Sequence, residues 1–174
     1  MKHLLRLLIF IIPICIFSFF YAYLSKDNFY PGADYNNFNI PSFELNNLYE
    51  EKPLTDNDLE GNYIINVWAS WCITCRIEHR FLSNLSNKGI RLIGLNYKDD
   101  RSDATEWLEK YGNPYELIIH DFQGSLALDM GVTGAPETFL ISNGEVLVHY
   151  RGEVNEMIWE DVFISMIREK GIEL

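Results

Sequence analysis

Cysteine is scarce in this chain. There are three in 174 residues: Cys15, Cys72 and Cys75. Three are too few for a disulfide framework. No second C-x-x-C and no C-x-x-H accompanies the pair at 72 and 75, so the four ligands of a structural zinc site cannot be assembled. Position 76 is Arg, which excludes the C-x-x-C-H of covalent haem attachment. Positive charge is also short, with 14 Lys and Arg against 25 Asp and Glu and a formal net charge of −11. With no basic stripe to meet phosphates, nucleic acid is excluded as a partner. Attraction to anionic lipid by charge is excluded in the same way. Repeats and low-complexity tracts are absent.

What is present suits one domain with a short appendage. Apolar residues make up 48% of the chain, enough for a real core. Residues 7–24 form an 18-residue run interrupted only by Pro13 and Ser18, preceded by Lys2 and Arg6. That length matches the short end of a membrane-spanning helix. A cleavable signal peptide is the competing reading, but its apolar core is usually shorter and the exit at residues 21–25 lacks an A-x-A-like site. The run is therefore read as an uncleaved anchor over residues 1–24. The positive residues ahead of it place the N-terminus in the cytoplasm and everything after residue 24 outside. Cys15 falls within the span and reads as a small apolar residue.

Residues 25–39 are polar and rich in Asn, Asp and Tyr, and read as a linker to a domain over residues 40–174. A weak strand is expected at 41–48, a helical turn at 54–59 capped by Thr55 or Asp56, and a strand at 63–68. After the C-x-x-C comes a helix, with Ile73, Ile77, Phe81 and Leu85 four residues apart, stopped by Gly89. A strand at 90–96 completes a right-handed βαβ unit with parallel strands. Asp103 and Glu106 resemble a capping box for a helix ending at Tyr111. A strand at 115–120 and a short helix at 124–130 follow. Strands at 138–142 and 145–151 flank Asn143-Gly144, a strong hairpin signal. Asn155 caps a last helix over 156–170, with Ile158, Trp159, Val162, Phe163, Met166 and Ile167 on one face.

The chemistry concentrates at residues 66–76, Asn-Val-Trp-Ala-Ser-Trp-Cys-Ile-Thr-Cys-Arg. Two thiols one helical turn apart can close and open a disulfide. The first is expected at the helix N-terminus, where free N–H groups and the macrodipole favour a thiolate. The alternative is a structural disulfide, although so tight a loop stabilises little.

Three motifs carry a family resemblance: W-C-x-x-C-R-x-E-H at 71–79, N-Y-K-D-D at 96–100 and G-A-P-E-T-F at 134–139. With the N-terminal run, they resemble the CcmG/DsbE thiol:disulfide interchange proteins of bacterial cytochrome c maturation over about residues 40–170. The resemblance implies an α/β thioredoxin-like fold, a central mixed sheet flanked by helices. It implies a periplasmic reductant tethered to the inner membrane, with no cofactor beyond a redox-active Cys72–Cys75 disulfide. Electrons would come from a membrane donor of the CcdA or DsbD type and pass to apocytochrome c or a CcmH-type protein. A related reductase or oxidase for other envelope proteins, and a non-catalytic maturation adaptor, are the alternatives.

On that resemblance Cys72 is the nucleophile and Cys75 the resolving thiol. Pro136 is expected to be cis and to face the pair, with a trans turn proline as the alternative. Glu78 and Glu137 are the acidic signature; as a plain residue Glu78 reads as a helix-surface carboxylate. Thioredoxins carry a buried Asp six residues before the first cysteine, and here that position is Asn66. Glu137 is accordingly expected to help accept the proton of the resolving thiol. Trp71, Thr133 and Ala135 are expected to touch partners, while Trp68 and His79 read equally well as structural. Ile73 replaces the family's usual Pro and Thr133 its usual Tyr.

Overall fold

The structure, a computed structural model, describes residues 11–21, 30–50 and 53–174. The chain divides after Pro31 into two compact units. In the first, residues 11–21 form helix α1, exposed along its length. The rest of the expected anchor, residues 1–10 and 22–24, lies outside the described residues. Among the described residues no helix is long and apolar enough to cross a membrane.

Among the described residues the second unit is a nine-stranded sheet, in spatial order β1 (Ala33–Asp34), β9 (Glu145–Arg151), β8 (Glu137–Ser142), β5 (Asn62–Trp68), β6 (Leu92–Tyr97), β7 (Leu117–Asp121), β3 (Glu44–Asn47) and β4 (Pro53–Thr55), with β2 (Phe38–Asn39) also on β9. Its centre is β5 (Asn62–Trp68), between β6 (Leu92–Tyr97) and β8 (Glu137–Ser142). Strand β5 runs parallel to β6 and β6 parallel to β7 (Leu117–Asp121), while β8 and β9 (Glu145–Arg151) are antiparallel. This is the α/β arrangement expected: the βαβ unit through α2 (Ile73–Asn87), then α3 (Arg101–Tyr111) and α4 (Ser125–Asp129), then a hairpin. Asn143 and Gly144 both have positive φ, 50° and 83°, the primed-turn geometry that matches the twist of the flanking strands.

Strand alternation divides the core. Tyr63, Ile65, Val67, Ile93, Leu95, Phe139 and Ile141 share one cluster with Leu126, Ala127 and Met130. The intervening residues, Asn66, Trp68, Gly94 and Thr138 among them, point to the opposite face. There Trp68 stacks on Tyr115 and packs on Trp107 of α3, with centroids 5.7 and 5.2 Å apart. Gly94 is required at this spot, because a Cβ would lie 2.8 Å from the Trp68 indole nitrogen and 3.0 Å from Tyr115.

Several local expectations are corrected. In α2 the buried residues are Cys75, Glu78, His79, Leu82 and Leu85, whereas Ile73 and Ile77 are 82% and 64% exposed. The four-residue apolar spacing reports a stripe without saying which side meets the sheet; Cys75 and Glu78, fixed by the site, decide it. Within the expected linker, β1 (Ala33–Asp34) and β2 (Phe38–Asn39) pair with β9. Two-residue edge strands are too short to show alternation. The turn at 54–59 splits into β4 (Pro53–Thr55), paired with β3 (Glu44–Asn47), and a 3-10 turn at Asp56–Asp58 that Thr55 caps. Helix α3 begins at Arg101 with Asp100 at the cap position, so Asp103 lies within its first turn and the expected capping box does not form. The last helix is α5 (Glu156–Ile158), a π-helical segment Trp159–Ile164 and α6 (Ser165–Lys170), with Ile158, Trp159, Val162 and Phe163 buried.

Candidate active site

Strand β5 delivers the cysteines. Beyond Trp68 the chain turns through Ala69-Ser70-Trp71, and this turn is pinned from the side. The buried Asp99 accepts hydrogen bonds from the Ser70 N–H and hydroxyl, both at 2.6 Å, and from the Asn96 amide at 2.9 Å. Lys98, held at φ 47°, offers its carbonyl to the Trp71 indole N–H at 2.9 Å. The N-Y-K-D-D motif is thus the clamp on the loop before the cysteines, a job its sequence does not announce.

Cys72 is the N-cap of α2 and bonded to Cys75, with an S–S length of 2.06 Å. Its sulfur accepts from the Cys75 N–H at 3.0 Å, so the helix start stabilises negative charge there once the disulfide is opened. Cys72 is the more exposed of the two, at 5% against 2%. Trp71 stands beside it, 54% exposed, and Ile73 and Ile77 continue an apolar outer surface. Trp68, by contrast, is core.

The Ala135–Pro136 bond is cis. Because Val67 pairs with Glu137, Pro136 is set beside the end of β5, the strand that leads to the cysteines. Glu137 is buried and shapes the loop before it. One carboxylate oxygen accepts from the Thr133 N–H (2.8 Å), the Thr133 hydroxyl (2.6 Å) and the Gly134 N–H (3.0 Å). The other lies 2.5 Å from Nε2 of His149 on β9. Burial works to raise the pKa of Glu137, but the His149 and Thr133 bonds outweigh it and hold the carboxyl below its ordinary value.

Glu78 lies one turn beyond Cys75 on the buried side of α2. It accepts from the Val154 N–H at 2.8 Å and from the Asn66 amide at 2.9 Å. Asn66 also donates to Thr138 and accepts from the Tyr115 hydroxyl at 2.8 Å. Desolvation dominates here. It pushes the Glu78 pKa up to about 8 against the pull of the two bonds. Tyr115, buried and close to that carboxyl, is raised well above its usual 10. Asn66 therefore ties Glu78 into the strand position where thioredoxins hold their acid.

The candidate residues do not all form one cluster. Cys72, Cys75, Glu78 and Asn66 assemble around the start of α2. Pro136, Glu137, Thr133 and Ala135 form the neighbouring wall. The Thr133 side chain turns inward to Glu137. His79 is buried against Trp107, with centroids 4.5 Å apart, and contacts the Gly112 carbonyl at 3.0 Å; burial lowers its pKa. Its surroundings are those of a packing residue. Tyr115, His149, Val154 and Asp99 were not singled out from sequence. Their partners lie far along the chain, and only the N-Y-K-D-D motif contained a hint of one.

Comparison with known proteins agrees with this geometry. The redoxin family model matches residues 36–161. The chain is 40% identical over 157 residues to the thiol:disulfide interchange protein DsbE of Pseudomonas fluorescens biotype C, covering 87% of this chain and 88% of that one. It is 47% identical over 126 residues to DsbE of Escherichia coli strain K12, covering 70% and 68%. The chain belongs to the DsbE family of thiol:disulfide interchange proteins. The fold recurs in the crystal structure of a DsbF homologue from Corynebacterium diphtheriae, with TM-score 0.65, 18% identity and coverage of 79% and 92%. It recurs again in a DsbE-type protein from Chlorobium tepidum, with TM-score 0.57, 24% identity and coverage of 74% and 95%. Cys72 and Cys75 are accordingly the redox-active pair of this DsbE-family enzyme, which interchanges thiols and disulfides with protein partners.

Proposed function

We propose that this protein is a membrane-tethered reductant on the periplasmic side of a bacterial inner membrane, keeping the haem-binding cysteines of apocytochrome c reduced. It acts on apocytochrome c directly or through a CcmH-type protein, and is recharged by a membrane donor of the CcdA or DsbD type. The family assignment supports the exchange chemistry. The observation that carries the direction of flow is the Glu78 carboxyl, buried one turn beyond Cys75 on α2 and raised to a pKa of about 8. Glu78 and a thiolate cannot both ionise there without like-charge repulsion, which raises the cost of the thiolate. The strong oxidant DsbA works the other way, by stabilising its reduced form. An acidic site therefore favours the disulfide and gives electrons away.

The reduced protein's Cys72 thiolate attacks a partner disulfide, and one partner sulfur leaves as a thiolate that takes a proton. Cys75 then loses its proton to the Glu78 carboxylate and attacks the Cys72 sulfur. The Cys72–partner bond breaks, the second partner sulfur leaves as a thiolate that takes a proton from water while Glu78 returns its own to water, the partner departs as a dithiol, and the Cys72–Cys75 disulfide closes. Two electrons have passed to the partner. With its pKa raised to about 8, the Glu78 carboxyl can both take up and return a proton near neutral pH. Glu137 takes a different part from the one expected of it: with its pKa lowered by the His149 and Thr133 bonds, it stays ionised and shapes the Pro136 wall. Thr133, Ala135 and Pro136 then offer that wall, and Trp71 its ring, to the partner chain.

Cys75→Ser tests this. The variant stalls at the mixed disulfide, and the trapped partner is expected to be an apocytochrome or a CcmH-type protein. Capture of envelope proteins without haem-binding cysteines contradicts the cytochrome reading and favours a general reductase. The tether through residues 7–24 is checked by alkaline extraction, which leaves the full chain in the membrane and releases a chain beginning at residue 25.

A further inference from the structure

His149 has no part in the exchange chemistry, yet it holds one of its walls. It lies on β9, 4% exposed, with its ring stacked on Phe139 at 4.0 Å and 20°. Its Nε2 meets the Glu137 oxygen that the Thr133–Gly134 loop leaves over. Arg151 is the residue paired with Glu137 in the strand register, but its guanidinium lies 3.9 Å from Asp34, and the Glu137 carboxylate goes to the imidazole instead. A buried carboxylate oxygen without a partner is costly. Without His149, Glu137 must protonate or turn away, and either change loosens its three bonds to Thr133 and Gly134.

We propose that His149 is a positioning residue for disulfide exchange. Acting through Glu137, it keeps residues 133–136 in the shape that receives a partner's extended backbone. The proposal rests on the reading that this wall aligns the partner.

The test compares an oxidised decapeptide containing Cys-x-x-Cys-His with the small disulfide DTNB, which has no backbone to align. His149→Phe keeps a ring against Phe139 and removes the donor. Its KM for the peptide should rise about tenfold, with kcat changing far less, so that selectivity for peptide over DTNB falls about tenfold. His149→Gln returns an N–H near the place of Nε2 and should restore most of it. A peptide KM within twofold of wild type in the Phe variant overturns the proposal, as does an equal slowing with both disulfides. If the Phe variant does not fold, a cycle of Glu137→Gln with His149→Leu, which also removes the donor, decides: coupling in KM of about fivefold or more supports the link, and independent effects overturn it. A wild type that treats a scrambled peptide with the same disulfide like the Cys-x-x-Cys-His peptide sinks the cytochrome reading alone, since the His149 comparison runs with either peptide. A wild type with no preference for peptide over DTNB removes the role of the wall and the proposal with it.

Discussion

Glu78 and Glu137 are both 2% exposed, and they lie on opposite faces of the same sheet. Glu137 belongs with Phe139 and His149, Glu78 with Asn66 and Thr138. Their pKa values move in opposite directions, Glu137 below the ordinary value and Glu78 up to about 8. Burial alone would raise both, Glu78 more because it lies deeper. The donors add to the difference. Glu78 has one backbone N–H and one amide. Glu137 has two backbone N–H groups, a hydroxyl and an imidazole. The same residue type, equally shielded from solvent but set at different depths among different donors, thus becomes a proton store on one face and a fixed anion on the other.

The comparison breaks most visibly at Glu137. Glu137→Ala strands the His149 donor and frees the Thr133–Gly134 loop, and should cost about 3–5 kcal/mol of stability at pH 7 by chemical denaturation. A loss under about 1 kcal/mol would mean the network is not holding the wall. Because the Glu137 pKa is lowered on folding, its contribution is present above the unfolded value of 4.5 and disappears as pH falls through the lower folded value.

Glu78→Gln should act mainly on rate. Resolution of a Cys72 mixed disulfide is expected to slow about 100-fold, read by stopped-flow release of a peptide thiol. An unchanged rate would remove Glu78 as the proton acceptor. The same variant sharpens the contrast in stability. Glu78 is raised on folding, so wild-type stability is fullest below the unfolded value of 4.5, declines as pH rises towards about 8 and levels off above it. The Gln variant should lack that decline, the reverse of the acid sensitivity at Glu137.

Smaller effects follow. Thr133→Val removes one hydroxyl donor from Glu137 and should cost about 1 kcal/mol. Ile77→Ser, on the exposed side of α2, should change stability by less than about 0.5 kcal/mol. A loss of about 2 kcal/mol or more there would show that the apolar stripe is buried after all.

The two faces were also unequally legible in sequence. The Cys pair, the Asn143-Gly144 hairpin and, apart from the short strands β1, β2 and β4, the strand–helix order rest on local chemistry, whereas the cis-proline rests on the family resemblance; each appears where it was expected. Glu137 was visible as a motif residue, but its role was not, because His149 lies twelve positions away on another strand. Glu78 sits in a helix whose apolar spacing points Ile73 and Ile77 inward on paper. Only the meeting with Asn66 and Val154 turns that helix round. A periodic pattern shows that a helix has two sides, and long-range polar contacts decide which is covered.

The central claim is that an acidic site makes this disulfide hard to reduce and its dithiol a donor. Equilibration of Cys72 and Cys75 against a glutathione or dithiothreitol series measures that directly. The expected reduction potential lies nearer that of thioredoxin, about −270 mV, than that of DsbA, about −120 mV. A value at or above about −150 mV would contradict the account, because the pair would then take electrons from its partners instead of supplying them.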